Sequence, residues 1–315
     1  MTLFDIFLQT LATTLPVFIM VFIGLGLRKL GWIDAAFVNT ASALVFKATL
    51  PTLIFLSILR ADLDTALNPG LLGFFAAATL GSFALVWLWA LWRIPRPDRG
   101  VYVQGAFRGN CGIVGLALAA SLYGDYGLSA GGILLGLVII FYNILSVVVL
   151  LTYQSEHKLR WGYILADIGR NPLIIAVVVS VPFAWWEVSL PTWVMTSGDY
   201  FASLTLPLAL LCIGATVSLS AIRRESGPAL GASTFKMVTL PALCTFTAWL
   251  AGFEGRELGL MFLYWASPTA AASFVMVKAL GGNARMAANI VAMTTLLASI
   301  TVTLGVFLLK STGTI

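Results

Sequence analysis

The sequence predicts an all-α polytopic membrane protein, on three grounds. Of its 315 residues, 60% are hydrophobic and 10% are charged, whereas soluble domains carry about 25% charged residues; the mean hydropathy is +0.98. The apolar residues gather in runs of about 20, enough for a helix to cross a ~30 Å hydrocarbon core. None alternates over ~10 residues as a barrel strand does. Lipid offers the backbone no partners, so a helix bundle remains. The third ground is a repeat. Thr49-Leu50-Pro51 returns 156 residues on as Thr205-Leu206-Pro207, and Thr14-Leu15-Pro16 falls opposite Arg170-Asn171-Pro172. Gly109-Asn110-Cys111-Gly112 falls opposite Trp265-Ala266-Ser267-Pro268. Paired interruptions in two halves of an apolar chain point to broken helices around a transporter's binding site.

Ten spans follow in order. The first, 6–27, has no basic segment ahead of it and reads as a span rather than a cleaved signal; it holds Pro16. The second, 38–59, holds Lys47 and Pro51, and the third, 71–92, stops at Arg93. The fourth, 101–122, holds Arg108 and the glycine-rich interruption, and the fifth, 128–151, holds Asn143. After a short polar loop the sixth, 163–185, holds Arg170 and Pro172, and the seventh, 200–221, holds Leu206 and Pro207. The eighth, 229–251, holds Lys236, the ninth, 258–280, is interrupted at Ser267-Pro268, and the tenth, 287–309, ends before Lys310. The expected fold is ten transmembrane helices in two five-helix repeats, residues 1–157 and 158–315, with helices 4 and 9 broken and crossing.

Charge sets the orientation. Arg28, Lys29, Arg93, Arg96, Arg99, Lys158, Arg160, Arg223, Arg224, Lys278 and Arg285 fall on one side, against Arg60, Arg256 and Lys310 on the other. The positive-inside rule makes the richer side cytoplasmic and puts both termini outside. Five spans is an odd number, so the second repeat inserts inverted, as in many alternating-access carriers.

Ionisable residues at membrane depth are functional by default. They are Lys47, Arg108, Arg170 and Lys236, while Asp5, Asp167, Asp199 and Glu257 fall near span ends. A sodium–proton antiporter wants carboxylates in mid-membrane, so cationic and amide chemistry is left, which suits an anion. Gly109, Gly112 and Gly115 each weaken a helix by about 1 kcal/mol relative to alanine, and Pro268 removes a donor. Breaks there would aim half-helix amides and the Asn110 side chain at one small volume, a ready anion site. Close helix packing is the other use of such glycines. Lys47 either attracts the anion or snorkels to the headgroups; Arg108 and Lys236 read rather as snorkelling. Asn143 either lines the site or bonds a neighbouring helix. Cys111, Cys212 and Cys244 read as small buried side chains, and the single histidine, His157, as solvated. No spacing suggests a metal site or a cofactor, and no nucleophile, base or metal cluster suggests an enzyme. The net charge of +5 suits loops facing anionic lipid rather than nucleic acid.

These residues resemble the auxin efflux carrier family, which includes the plant PIN auxin transporters and bacterial malonate- or malate-type carriers. The resemblance lies in Leu44-Val45-Phe46 running into Leu50-Pro51-Thr52-Leu53, and in Arg108-Gly109-Asn110-Cys111-Gly112-Ile113-Val114-Gly115. It continues in Pro207-Leu208-Ala209 with Gly214, and in Ser267-Pro268-Thr269 with Lys278-Ala279-Leu280-Gly281-Gly282. It implies a scaffold of helices 1, 2, 6 and 7, a core of helices 3–5 and 8–10 that moves as an elevator, and a homodimer. It also implies substrate at the crossing of helices 4 and 9. Asn110 matches the asparagine that meets the substrate carboxylate, Leu50 an apolar contact, and Pro268 and Thr269 the crossover. Lys47, Pro51, Gly109, Cys111, Gly112, Asn143, Leu206, Pro207 and Ser267 complete the candidate site. Three positions depart from the pattern: Ala117 replaces a proline after the break, the inter-repeat loop is short, and Lys47 stands where an apolar residue is expected.

The expectation is a secondary active transporter of small organic anions, mono- or dicarboxylates of the auxin or malonate kind, in a bacterial inner membrane and without a cofactor. Its rivals are a sodium-coupled organic-anion symporter of the bile-acid type and a non-transporting membrane sensor.

Overall fold

The computed structural model describes residues 2–153, 162, 166, 168–217 and 227–315, with the backbone alone at Asp64 and Thr65. Among these residues every regular element is helical, and the one extended pairing joins Gly109 to Thr269. Among the described residues, seven helical stretches are long and apolar enough to cross a membrane: Leu3–Lys29, Ala35–Leu59, Pro69–Arg93, Cys111–Tyr153, Thr192–Thr216, Gly227–Leu250 and Ala284–Ser311. Pro172–Trp185 is a shorter apolar helix. Much of the start of the sixth predicted span, His157, Lys158, Arg160, Asp167, Arg223 and Arg224 lie outside the described residues.

Three of these stretches contain a widened turn, and proline explains two of them. α1 (Leu3–Lys29) is followed by α2 (Ala35–Leu44), which runs into α3 (Leu50–Leu59) through a π-helical turn at Val45–Thr49. This turn and the one at Phe235–Thr239 are each followed by Leu-Pro. The proline has no N–H to give to the carbonyl four residues back, and its ring crowds that carbonyl. The leucine before it bonds five residues back instead, Leu50 N to Val45 O and, in the second case, Leu240 N to Phe235 O. The result is one inserted residue and a rotated helix face.

Beyond α4 (Leu63–Ala66) come α5 (Pro69–Arg93), α6 (Arg99–Phe107) and α7 (Leu116–Tyr153). α7 is two helices meeting at Gly124, whose φ of 54° and ψ of −130° suit a residue without a Cβ. Then follow α8 (Pro172–Trp185), α9 (Thr192–Ser203) and α10 (Thr205–Thr216). α11 (Gly227–Thr234) runs through another π-helical turn, Phe235–Thr239, into α12 (Leu240–Leu250). α13 (Gly255–Trp265), α14 (Ala271–Ala279) and α15 (Ala284–Ser311) close the chain.

Packing separates outer from inner helices. α1 lies along α10 and α3 along α8. At the first contact Gly24 meets the Leu211 carbonyl and Gly214 meets the Val21 carbonyl, so closely that a methyl on either glycine would overlap the facing oxygen. Helices in lipid gain little from burying apolar surface, and such small-residue contacts bring backbones close enough for dispersion to hold them. α6 and α13 are the inner helices: every residue from Gly100 to Phe107 and from Leu258 to Trp265 is buried. At nine and eleven residues and ~1.5 Å per residue, neither can cross a bilayer alone. Rings fix their ends. Phe75 stacks on Trp265 at 5.0 Å, and Phe107 meets Phe83 at 5.1 Å and Tyr142 at 5.5 Å, both edge-on.

Candidate substrate site

α6 stops at Phe107, Arg108 turns extended (φ −80°, ψ 104°), and helix resumes only at Cys111, in a π-helical turn, Cys111–Gly115, that leads into α7. α13 stops at Trp265 and helix resumes at Ala271, after an extended Ala270. These two gaps lie antiparallel against each other. Asn110 N donates to Pro268 O at 2.7 Å, and Ala270 N donates to Arg108 O at 3.2 Å. Each break thereby satisfies groups that the other has freed, where an unpaired backbone group in lipid costs several kcal/mol. Thr269 locks the junction: its Oγ1 donates to Gly105 O at 2.6 Å and its N–H to Thr294 Oγ1 at 3.0 Å.

The pairing leaves a specific remainder. The first amides of a helix have no carbonyl of their own to reach, and here those of Cys111, Gly112 and Ile113 and of Ala271 and Ala272 belong to residues lining one cavity of about 250 Å³. Two N-termini facing one volume act like two partial positive charges of roughly half a unit each. Asn110 occupies the cap position of the first helix but makes no capping bond. Arg108 lines the same cavity and is 9% exposed. Its guanidinium donates to Asn143 Oδ1 at 3.0 Å, Ser146 Oγ at 3.2 Å and Met276 Sδ at 2.9 Å. The facing walls are mostly apolar, with Val45, Phe46 and Leu50 on one side and Leu173 and Ile213 on another. The cavity is smaller than the ~300–1,000 Å³ typical of drug-sized ligands. Chemically, it fits a compact anion with a short apolar body.

Of the residues marked in the sequence, Leu50, Gly109, Asn110, Cys111 and Gly112 line the cavity. Ser267, Pro268 and Thr269 stand behind it, buried, within the paired breaks. Asn143 makes the neighbouring-helix bond, through Arg108. Pro51, Leu206 and Pro207 are off the wall; on α10 the lining comes from Ala209, Cys212, Ile213 and Thr216. Lys47 is exposed and away from the cavity.

The snorkelling expected of Arg108 and Lys236 is overturned: both point inward. Lys236 is 1% exposed, and its Nζ donates to Trp265 O at 2.9 Å. The signal that separates it from Lys47 is its register. Lys47 stands four residues before its proline and Lys236 five, and one residue of helix is ~100° of rotation. Among the described residues no group of three or more His, Cys, Asp or Glu could hold a metal.

Residues 10–162 and 163–306 match the family described as membrane transport protein. An uncharacterized transporter of Methanothermobacter thermautotrophicus is 24% identical over 282 residues, which cover 86% of this chain and 89% of the relative. An uncharacterized transporter of Methanocaldococcus jannaschii is 22% identical over 274 residues, covering 83% and 86%. With membrane-crossing helices and a match along nearly its whole length, the chain belongs to the membrane transport protein family, the family of the auxin efflux carriers.

Proposed function

We propose that the protein is a secondary carrier for small organic anions, mono- or dicarboxylates, and that the anion binds in the cavity beside the paired breaks. The observation that carries this reading is the convergence of two helix N-termini and Arg108 on one cavity, with no buried Asp or Glu among the described side chains. In this account the carboxylate takes the Asn110 side-chain amide and the leftover first-turn amides. Arg108 supplies the full charge, and Leu50 and its neighbours hold the apolar body.

The ten-helix inverted repeat, with halves 1–157 and 158–315, belongs to the same proposal. Its support is that α1 on α10 and α3 on α8 are contacts that exchange under the 156-residue displacement. Helices 1, 2, 6 and 7 would then form the scaffold, with helices 3–5 and 8–10 sliding against it to alternate access. The charge distribution and the resemblance add a bacterial inner membrane, outward termini and a homodimer.

Purified protein in liposomes, offered labelled acetate, malonate and indole-3-acetate with and without sodium or proton gradients, tests this directly. Uptake of a carboxylate above protein-free liposomes is expected. Binding without uptake would favour a sensor, and strictly sodium-driven uptake a symporter of the bile-acid type. Arg108→Met is expected to weaken carboxylate binding about tenfold or more, because hydrogen bonds to charged groups contribute ~1.5–3 kcal/mol. Equilibrium binding to purified protein checks it, with Arg108→Lys keeping the charge but losing the planar fork.

A further inference from the structure

We infer that Lys236 is a tethered counter-cation for the transported anion, an ammonium fixed beneath the paired breaks that stands in for a co-transported cation. The inference rests on the reading that an anion binds at these breaks. Lys236 lies in the π-helical turn Phe235–Thr239, and the acceptor of its Nζ, the Trp265 carbonyl, belongs to the last residue of α13. The ammonium therefore sits at the negative end of that half-helix. On another side it meets Gly109, where an added Cβ would stand 3.0 Å from Nζ and 3.3 Å from Tyr264 O. One ammonium thus touches the turn that enters one break and the glycine that opens the other, and that glycine also lines the cavity.

The charge has little else to answer it. An ammonium has three donors, and among the described residues the Trp265 carbonyl is its hydrogen-bond acceptor. No described Asp or Glu side chain is buried. The space beside it is a void of about 10 Å³, bounded by Thr79, Ser82, Phe107, Tyr142, Leu240 and Trp265, room for roughly one water and none for a second, hydrated cation. A buried charge without an opposite one is costly at membrane depth. The anion arriving across Gly109 supplies the opposite charge. Sodium is then unnecessary at this point of the cycle.

The experiment uses labelled malonate and wild-type protein in liposomes, in sodium or N-methylglucamine medium; equal rates are expected. Lys236→Ala empties the space and should lower uptake about tenfold or more, the effect of removing about 1.4 kcal/mol of charge attraction. Added ethylammonium should restore that variant and leave the wild type unchanged. Lys236→Met, of similar length without charge, should melt like the wild type yet lose uptake. Wild-type uptake that stops without sodium, Lys236→Met at the wild-type rate, or Lys236→Ala indifferent to ethylammonium would each overturn the counter-cation and leave the carrier standing. A wild type that moves no carboxylate would overturn the carrier reading and this inference with it.

Discussion

Asn110→Ala is expected to lower carboxylate uptake about a hundredfold or more while leaving the protein folded. The magnitude follows from two hydrogen bonds to a charged group, each contributing ~1.5–3 kcal/mol, against about 1.4 kcal/mol per tenfold. The fold should survive because residue 110 contributes to it through its backbone. Its N–H bonds Pro268 O, and its carbonyl accepts from Val114 N and Gly115 N at 3.1 and 3.3 Å; alanine keeps all three. The side chain caps nothing. Initial uptake rates and thermal melting of the two proteins, measured side by side, check both halves. Wild-type uptake would remove Asn110 from the site, and collapse on melting would give it a structural role instead.

The second large effect is on stability. Gly214→Ala puts a methyl into the Val21 carbonyl, and the next atoms met are also backbone. No side-chain rotamer can give way, so α1 and α10 must separate. Overpacking a core costs ~1–3 kcal/mol when neighbours can shift; against two rigid backbones the cost should reach or exceed the top of that range. Gly81→Ala in α5 is the control: nothing lies within 4 Å of its added Cβ, and alanine there should be neutral or raise stability by about 0.4–1 kcal/mol. Melting temperature and the monodisperse yield in detergent report the contrast. Equal behaviour of the two variants would mean that the α1–α10 contact is looser than these distances imply.

What the sequence reveals and what it hides have different physical origins. Helix breaks are local events. Three glycines around Asn110 and a proline after Ser267 weaken a helix wherever it packs, so both interruptions are readable from residue type alone. Their partnership is not local. Gly109 pairs with Thr269, 160 residues away, and neither residue type carries a mark of the other. That pairing also consumes the Asn110 amide, so the leftover donors begin one residue later, at Cys111.

The cations mislead for a second reason. Whether a charged side chain reaches the core or the headgroups depends on helix azimuth, and the π-helical turns before Pro51 and Pro241 shift that azimuth by a residue. Lys47 and Lys236 have similar flanking sequences, yet one faces outward and the other is among the most buried side chains. Arg108 could be recognised as abutting a break, but not as bridging α6 to Asn143 and Ser146 of α7. The cavity itself arises from several helices and has no signature in any one of them.

The most direct measurement is a crystal structure of the purified protein saturated with malonate. The account predicts the carboxylate in the 250 Å³ cavity, within hydrogen-bond distance of the Asn110 side chain and of the first amides after it, with Arg108 on the same wall. Malonate density elsewhere, for instance at the polar cleft of Arg60, Asp199 and Arg256, with that cavity empty, would contradict it.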